Sequence, residues 1–135
     1  MRYLSFLFLL LLVQVHAADS DLAGRYAGEW KSNGSGGGGA FRFSLDLAAG
    51  GAWKWDVTFV YAGAEIKTVT HELKVNQSKL EGAYDFALQG FALRSHITGE
   101  WNGKAFAGSY QTTTTDGSTG VDEGTWNAAR AKYGQ

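Results

Sequence analysis

Apolar side chains recur at every second position through most of the chain after Ala18. The clearest runs are 41–47 and 53–61, where aromatic and aliphatic residues alternate with polar ones. This is the period of a β-strand with one buried face, and no segment after Ala18 has the spacing of an amphipathic helix. Further runs with the same pattern are 26–30, 69–75, 80–86, 97–101, 106–110 and 122–130. The sequence therefore predicts an all-β protein of about eight strands.

The segments between these runs are short and rich in turn-forming residues. Asn102-Gly103 predicts a two-residue hairpin, because both positions accept positive φ. Short connections imply an antiparallel up-and-down meander, since a parallel crossover needs a dozen or more residues. Closing such a sheet into a small barrel would remove both exposed edges. We expect one closed barrel domain over residues 18–135.

Residues 1–17 are set apart from this pattern. Arg2 precedes an almost wholly apolar run over 3–15, and Val15-His16-Ala17 fits a small-x-small cleavage site. The run is shorter than the ~20 residues of a membrane-spanning helix. The pattern predicts a Sec-type signal peptide over 1–17 and a periplasmic or extracellular protein, with an uncleaved anchor as the alternative.

Composition excludes several classes of function. The chain has no cysteine, which rules out disulfides, thiolate zinc sites, iron–sulfur clusters and a cysteine nucleophile. Its formal net charge is −1 with no cluster of basic residues, so a nucleic-acid partner is not expected. No spaced histidine and carboxylate motif is present, and we predict neither a metal nor a cofactor.

The chain has 19 glycines and no proline, and several glycines share one context. An apolar residue, any residue, Gly, any residue and an aromatic recur around Gly28, Gly82, Gly99 and Gly108. Two interpretations are open. The glycines let coiled strands bend, with aromatic rings filling the space, or they hollow out the interior for a ligand.

Alternation alone does not say whether the aromatic face points into the barrel or toward lipid. An eight-stranded outer-membrane barrel would alternate in the same way. Only the segments 33–40 and 113–120 are long, however, whereas membrane barrels alternate short turns with long loops, and the chain ends in a polar tail. We therefore expect the aromatic side chains inside and no stable membrane insertion.

Gly28 and Trp30 form a Gly-x-Trp in the first predicted strand, and Arg130 lies at the end of the last. This arrangement resembles the calycin superfamily, the lipocalin and avidin-type barrels. The resemblance implies a secreted β-barrel in which the arginine covers the first-strand tryptophan and closes one end. Such a cation–π contact is worth on the order of 1 kcal/mol.

An aromatic interior with few polar groups is typical of a small-molecule site. His71 is expected to face inward as the polar handle, and inward Ser95 and Thr112 to help orient a ligand. Asp122 and Glu123 should point to opposite faces, which favours a solvated turn edge over an acid/base pair. The predicted ligand-binding residues are Trp53, Trp55, His71, Tyr84, Trp101 and Tyr110.

The first functional hypothesis is therefore a barrel that binds a small apolar, aromatic or amphipathic molecule. The alternative is an interaction or inhibitor module that uses loops 33–40 and 113–120, with a filled barrel as a passive scaffold and a protein partner that the sequence does not identify. A barrel-mouth enzyme using His71 is a third hypothesis. No nucleophile, base and carboxylate can be assembled from the sequence, so no catalytic residue is predicted and the enzyme hypothesis is the least favoured.

Overall fold

The computed structural model describes residues 22–132, which form one antiparallel meander of nine strands. The strands are β1 (Gly24–Ser32), β2 (Gly38–Leu47), β3 (Trp53–Tyr61), β4 (Ala64–Lys67), β5 (Val69–Asn76), β6 (Lys79–Leu88), β7 (Phe91–Trp101), β8 (Ala105–Thr114) and β9 (Gly120–Arg130). The expected all-β meander is confirmed, with β4 as an additional strand. The predicted signal peptide over 1–17 lies outside the described residues. Within residues 22–132, no helix is long and apolar enough to cross a membrane.

The sheet curls into a half-barrel and does not close completely. Its strand order is β4-β3-β2-β1-β9-β8-β7-β6-β5, so β4 and β5 are its two edges although only Thr68 separates them in the chain. β4 pairs with β3, and the chain then leaves β3 to pair with β6. The prediction of a fully closed barrel is therefore wrong. The segment 64–76 pairs first with β3, through β4, and then with β6, through β5, so its two strands form the two edges of the sheet.

Two threonine side chains bridge the seam between β5 and β3. Thr68 Oγ1 donates to the carbonyl oxygen of Val57 at 2.7 Å, and Thr70 Oγ1 donates to that of Trp55 at 2.9 Å. Both bonds join the chain just after β4 to β3, where ladder pairing stops. Threonine hydroxyl groups, rather than main-chain N–H groups, thus donate the hydrogen bonds that join β3 to the chain after β4.

We expect the double variant Thr68→Val and Thr70→Val to lower the free energy of unfolding by about 2 kcal/mol, since a typical hydrogen bond contributes about 1 kcal/mol. Urea denaturation measures this value. Thr125→Val, an exposed threonine on β9, is the control and should change it by less than about 0.5 kcal/mol. A double variant as stable as the control would mean that the seam bonds do not contribute.

Turn positions match the sequence prediction, with one difference in length. Ala62 and Gly63 have φ of 51° and 81°, and Gln89 and Gly90 have φ of 52° and 83°. Positive φ at both residues is the geometry of a type I′ hairpin. The Asn102 turn is longer than the predicted two residues, because its Oδ1 accepts hydrogen bonds from two later main-chain N–H groups and only Gly103 has positive φ.

The aromatic face points inward, as expected, and glycines on it receive tryptophan rings. A Cβ on Gly82 would lie 2.6 Å from Cζ2 of Trp55, and one on Gly99 would overlap Cζ2 of Trp126. Each indole therefore covers a glycine on another strand, and in the case of Trp126 the glycine lies two strands away in the same cross-strand row. This is the first of the two interpretations. Inward-facing core residues include Tyr26, Phe41, Phe43, Leu45, Trp55, Val57, Leu80, Ile97, Phe106 and Trp126.

One end of the half-barrel is closed by packed rings and a cation. Tyr26 stacks on Phe43 at 4.9 Å between ring centroids and meets Phe106 edge-on at 5.1 Å. The Arg130 guanidinium lies 5.4 Å from the centroids of both Tyr26 and Trp101. An arginine therefore covers this end of the half-barrel, and the rings that it covers are Tyr26 and Trp101.

The contact between Arg130 and Trp30 that the resemblance implies is not formed, and the strand register explains why. Arg130 pairs with Tyr26, whereas Trp30 pairs with Trp126, four residues further along both strands. At about 3.3 Å per residue, the two positions are separated by roughly 13 Å. The Gly-x-Trp tryptophan thus belongs to the other end of the half-barrel.

Candidate functional site

A cavity of about 520 Å³ occupies the end of the half-barrel opposite Arg130. Loop 33–37 flanks its mouth, and exposed residues such as Ser35, Tyr61 and Val121 line its rim. The deeper wall is mainly aromatic and aliphatic. Its lining includes Trp30, Phe41, Phe59, Tyr84, Phe86, Leu93, Ile97, Tyr110 and Trp126.

The floor of the cavity is Trp126, whose indole separates it from the packed closed end. Trp126 Nε1 donates to the carbonyl oxygen of Thr98 at 3.0 Å, which fixes the plane of the ring. Its ring neighbours include Phe41 and Phe43, with centroids at 5.3 and 5.8 Å, and Phe106, with its centroid at 6.2 Å. The half-barrel is therefore filled below this ring and hollow above it.

A pair of buried hydroxyl groups lies on the wall formed by β7 and β8. Ser95 Oγ and Thr112 Oγ1 are 2.6 Å apart and stand opposite each other in the strand register. Tyr84 faces Ser95 from β6, and burial raises the pKa of Tyr84 well above its ordinary value, with Ser95 offsetting part of the effect. This wall therefore offers neutral hydrogen-bonding groups in otherwise apolar surroundings.

A second polar group is centred on Asp122, at the start of β9. Ser32 Oγ donates to its Oδ1 at 2.7 Å, and the Tyr110 hydroxyl donates to its Oδ2 at 2.8 Å. Burial raises the pKa of Tyr110, and the bond to the Asp122 carboxylate raises it further. Tyr110 is therefore a neutral donor at physiological pH, and the carboxylate is held in one orientation.

Hydrogen bonds centred on Asp116 hold loop 115–119, between β8 and β9, in shape. Asp116 Oδ1 accepts from Thr114 Oγ1 at 2.6 Å and from the main-chain N–H and hydroxyl of Ser118 at 2.9 and 2.8 Å. The bond from Thr114, followed by those from Ser118, lowers the pKa of Asp116 to about 2.

We predict that a carboxyl NMR titration gives a pKa of about 2 for Asp116, below its ordinary 3.8. Because the folded-state value is lowered, the loop contacts are favoured above pH 3.8 and lost as the pH falls toward 2. Thr114→Val removes the leading donor and should raise the pKa, whereas Ser109→Ala on the outer face should not. A wild-type value near 3.8 would contradict the loop geometry.

Two of the six predicted ligand-binding residues, Tyr84 and Tyr110, line the cavity. Trp55 is buried in the packed interior against Gly82, and Trp101 lies at the closed end beneath Arg130. Trp53 packs against the core at the end of β3 away from the mouth. These three tryptophans face inward as predicted, but too far from the mouth to reach the cavity.

The expected inward position of His71 is wrong. Its side chain is exposed, because β5 contains a register shift between Thr70, which pairs with Tyr84, and Glu72, which pairs with Ala83. The extra residue of this bulge reverses the alternation. His71 therefore lies outside the set of residues that line the cavity.

Sequence reasoning missed part of the cavity wall. Asp122 and Glu123 do point to opposite faces, but Asp122 faces the cavity rather than a solvated edge. Its inward parity on β9, shared with Trp126, was the available signal. Within residues 22–132, no cluster of three His, Cys, Asp or Glu side chains could hold a metal ion.

No protein-family model, curated protein or solved structure matches this chain. The functional conclusions therefore rest on the cavity itself, and the calycin relationship stays a prediction.

Proposed function

We propose that this protein binds a small apolar or amphipathic molecule in the cavity above Trp126. The observation that carries the proposal is a cavity of about 520 Å³ with an aromatic wall and a few fixed polar groups. Binding sites for small molecules usually have 300–1,000 Å³ and this mixed lining. Export through the predicted signal peptide would place the binding site in the periplasm or outside the cell.

The interaction-module alternative has less support. It requires a filled barrel as scaffold, whereas the mouth half of this one is hollow. The Asn33 N–H donates to the Glu123 carbonyl oxygen at 2.9 Å, which joins the start of the first loop to β9. Loop 33–37 also flanks the mouth, so in the proposed function it controls access to the ligand.

Fluorescence titration and native mass spectrometry test the proposal. Trp30 and Trp126 both line the cavity, so a ligand seated there should change the tryptophan emission. With N-phenyl-1-naphthylamine, a neutral apolar fluorophore, we expect saturable one-to-one binding with a Kd in the roughly micromolar range. The urea-unfolded chain is the control. A folded protein that binds neither this probe nor any of a lipid and aromatic panel would overturn the proposal.

A further inference from the structure

The cavity wall contains one carboxyl group from residues 22–132, that of Asp122. Apart from tyrosines, no other ionisable side chain of this part of the chain lines the cavity. Elsewhere within residues 22–132, the side-chain ion pairs are Arg42 with Glu65 and Arg94 with Asp85. The structure thus gives the half-buried Asp122 hydroxyl donors but no counter-charge.

The neighbours of Asp122 leave part of its capacity unused. A carboxylate has about four lone-pair sites, and Ser32 and Tyr110 supply one hydrogen bond each. These two bonds fix the plane of the group without neutralising it. A ligand that covers the carboxylate removes its remaining water, and a positive charge on that ligand offsets the loss.

The aromatic rings beside Asp122 favour the same sign of charge. Tyr110 bonds to it directly, and Trp30 meets Tyr110 edge-on at 6.2 Å between centroids. Tyr61 stacks on Trp30 at 6.3 Å and extends the aromatic surface to the rim. Ring faces attract cations through their quadrupole, whereas an anionic headgroup here would face a carboxylate and π-electrons together.

We infer that the ligand of this cavity is a cationic amphiphile, with an ammonium headgroup against Asp122 and an apolar tail among Phe59, Phe86 and Ile97. This inference rests on the proposed function and specifies its ligand class. The hydroxyl pair of Ser95 and Thr112 lies on the wall beside the tail and is satisfied internally. This hydroxyl pair therefore does not require a charged group on the ligand.

Three ligands with the same decyl tail test the headgroup preference by isothermal titration calorimetry: decyltrimethylammonium, decanol and decanoate. We expect the cation to bind at least tenfold more tightly than decanoate. Asp122→Asn should weaken the cation about tenfold and leave decanol within twofold. Glu123→Gln removes the same charge from the outer face of β9 and should leave all three affinities within twofold.

The outcomes separate this inference from the proposed function. If decanol or N-phenyl-1-naphthylamine binds but decanoate equals or exceeds the cation, the inference fails and the proposed function stands. Unchanged cation affinity in folded Asp122→Asn has the same meaning. If no ligand or probe binds, both fail. Should Asp122→Asn not fold by circular dichroism, the comparison of cation with anion on the wild-type protein decides.

Discussion

Gly99→Ala is expected to lower the free energy of unfolding by about 2 kcal/mol, a large effect for one added methyl group. A Cβ at this position would overlap Cζ2 of Trp126. Moving the indole away would break its N–H bond to Thr98 and its packing on Phe41 and Phe43. Overpacking of this kind costs typically 1–3 kcal/mol, more than alanine's conformational advantage over glycine regains.

Gly120→Ala is the matched control for this substitution. Gly120 also lies in a strand, has no positive φ, and a Cβ there would meet no atom within 4 Å. We expect its unfolding free energy to stay within about 0.5 kcal/mol of wild type. Chemical denaturation of the two variants measures the difference. If the Gly99→Ala and Gly120→Ala variants are equally stable, the packing of the Trp126 indole does not require glycine at position 99.

Alternation in the sequence predicts which face a residue occupies, and for most strands the structure agrees. It does not predict how far along the barrel a residue lies. Trp55, Tyr84 and Trp101 all face inward, yet only Tyr84 reaches the cavity. The position of a residue along the barrel axis depends on the stagger between neighbouring strands. That stagger is set by long-range strand pairing rather than by the local alternation of apolar and polar residues.

Alternation also fails where a strand contains an extra residue. The bulge in β5 pairs Thr70 with Tyr84 and leaves His71 exposed, although 69–75 reads as one regular run. The same stretch explains why the barrel stays open, since β4 and β5 pair with different neighbours on either side of Thr68. No turn signal in the sequence marks that change of partner.

The glycines were predictable as a group but their individual partners were not. The sequence motif places an aromatic two residues after each glycine, whereas the rings that cover Gly82 and Gly99 come from β3 and β9. Arg130 shows the same limit, because its expected partner Trp30 is in the strand next to its own but four residues away in register. Contacts across a sheet follow register, which a single sequence specifies only weakly when most turns are tight and similar.

The second large effect is expected from filling the cavity. Ser95→Phe combined with Thr112→Val places a ring in the hollow half of the barrel and removes both members of the buried hydroxyl pair. Replacing both partners together leaves no unpaired hydroxyl within the pair, and the Tyr84 hydroxyl loses its bond to Ser95. We expect the affinity for N-phenyl-1-naphthylamine to fall about 100-fold, or roughly 2.7 kcal/mol.

The outer face of the same two strands supplies the control. Thr98 and Ser109 form an equivalent cross-strand pair, with hydroxyl oxygens 3.2 Å apart, but both are exposed. Thr98→Val with Ser109→Phe therefore makes the same chemical change on β7 and β8 outside the cavity, and its affinity should stay within twofold of wild type. Loss confined to the outer pair would place the probe on the outer surface; equal loss in both double variants, or loss in neither, would contradict binding in the cavity. Only loss confined to the inner pair places the ligand above Trp126, where the hollow half of the barrel begins.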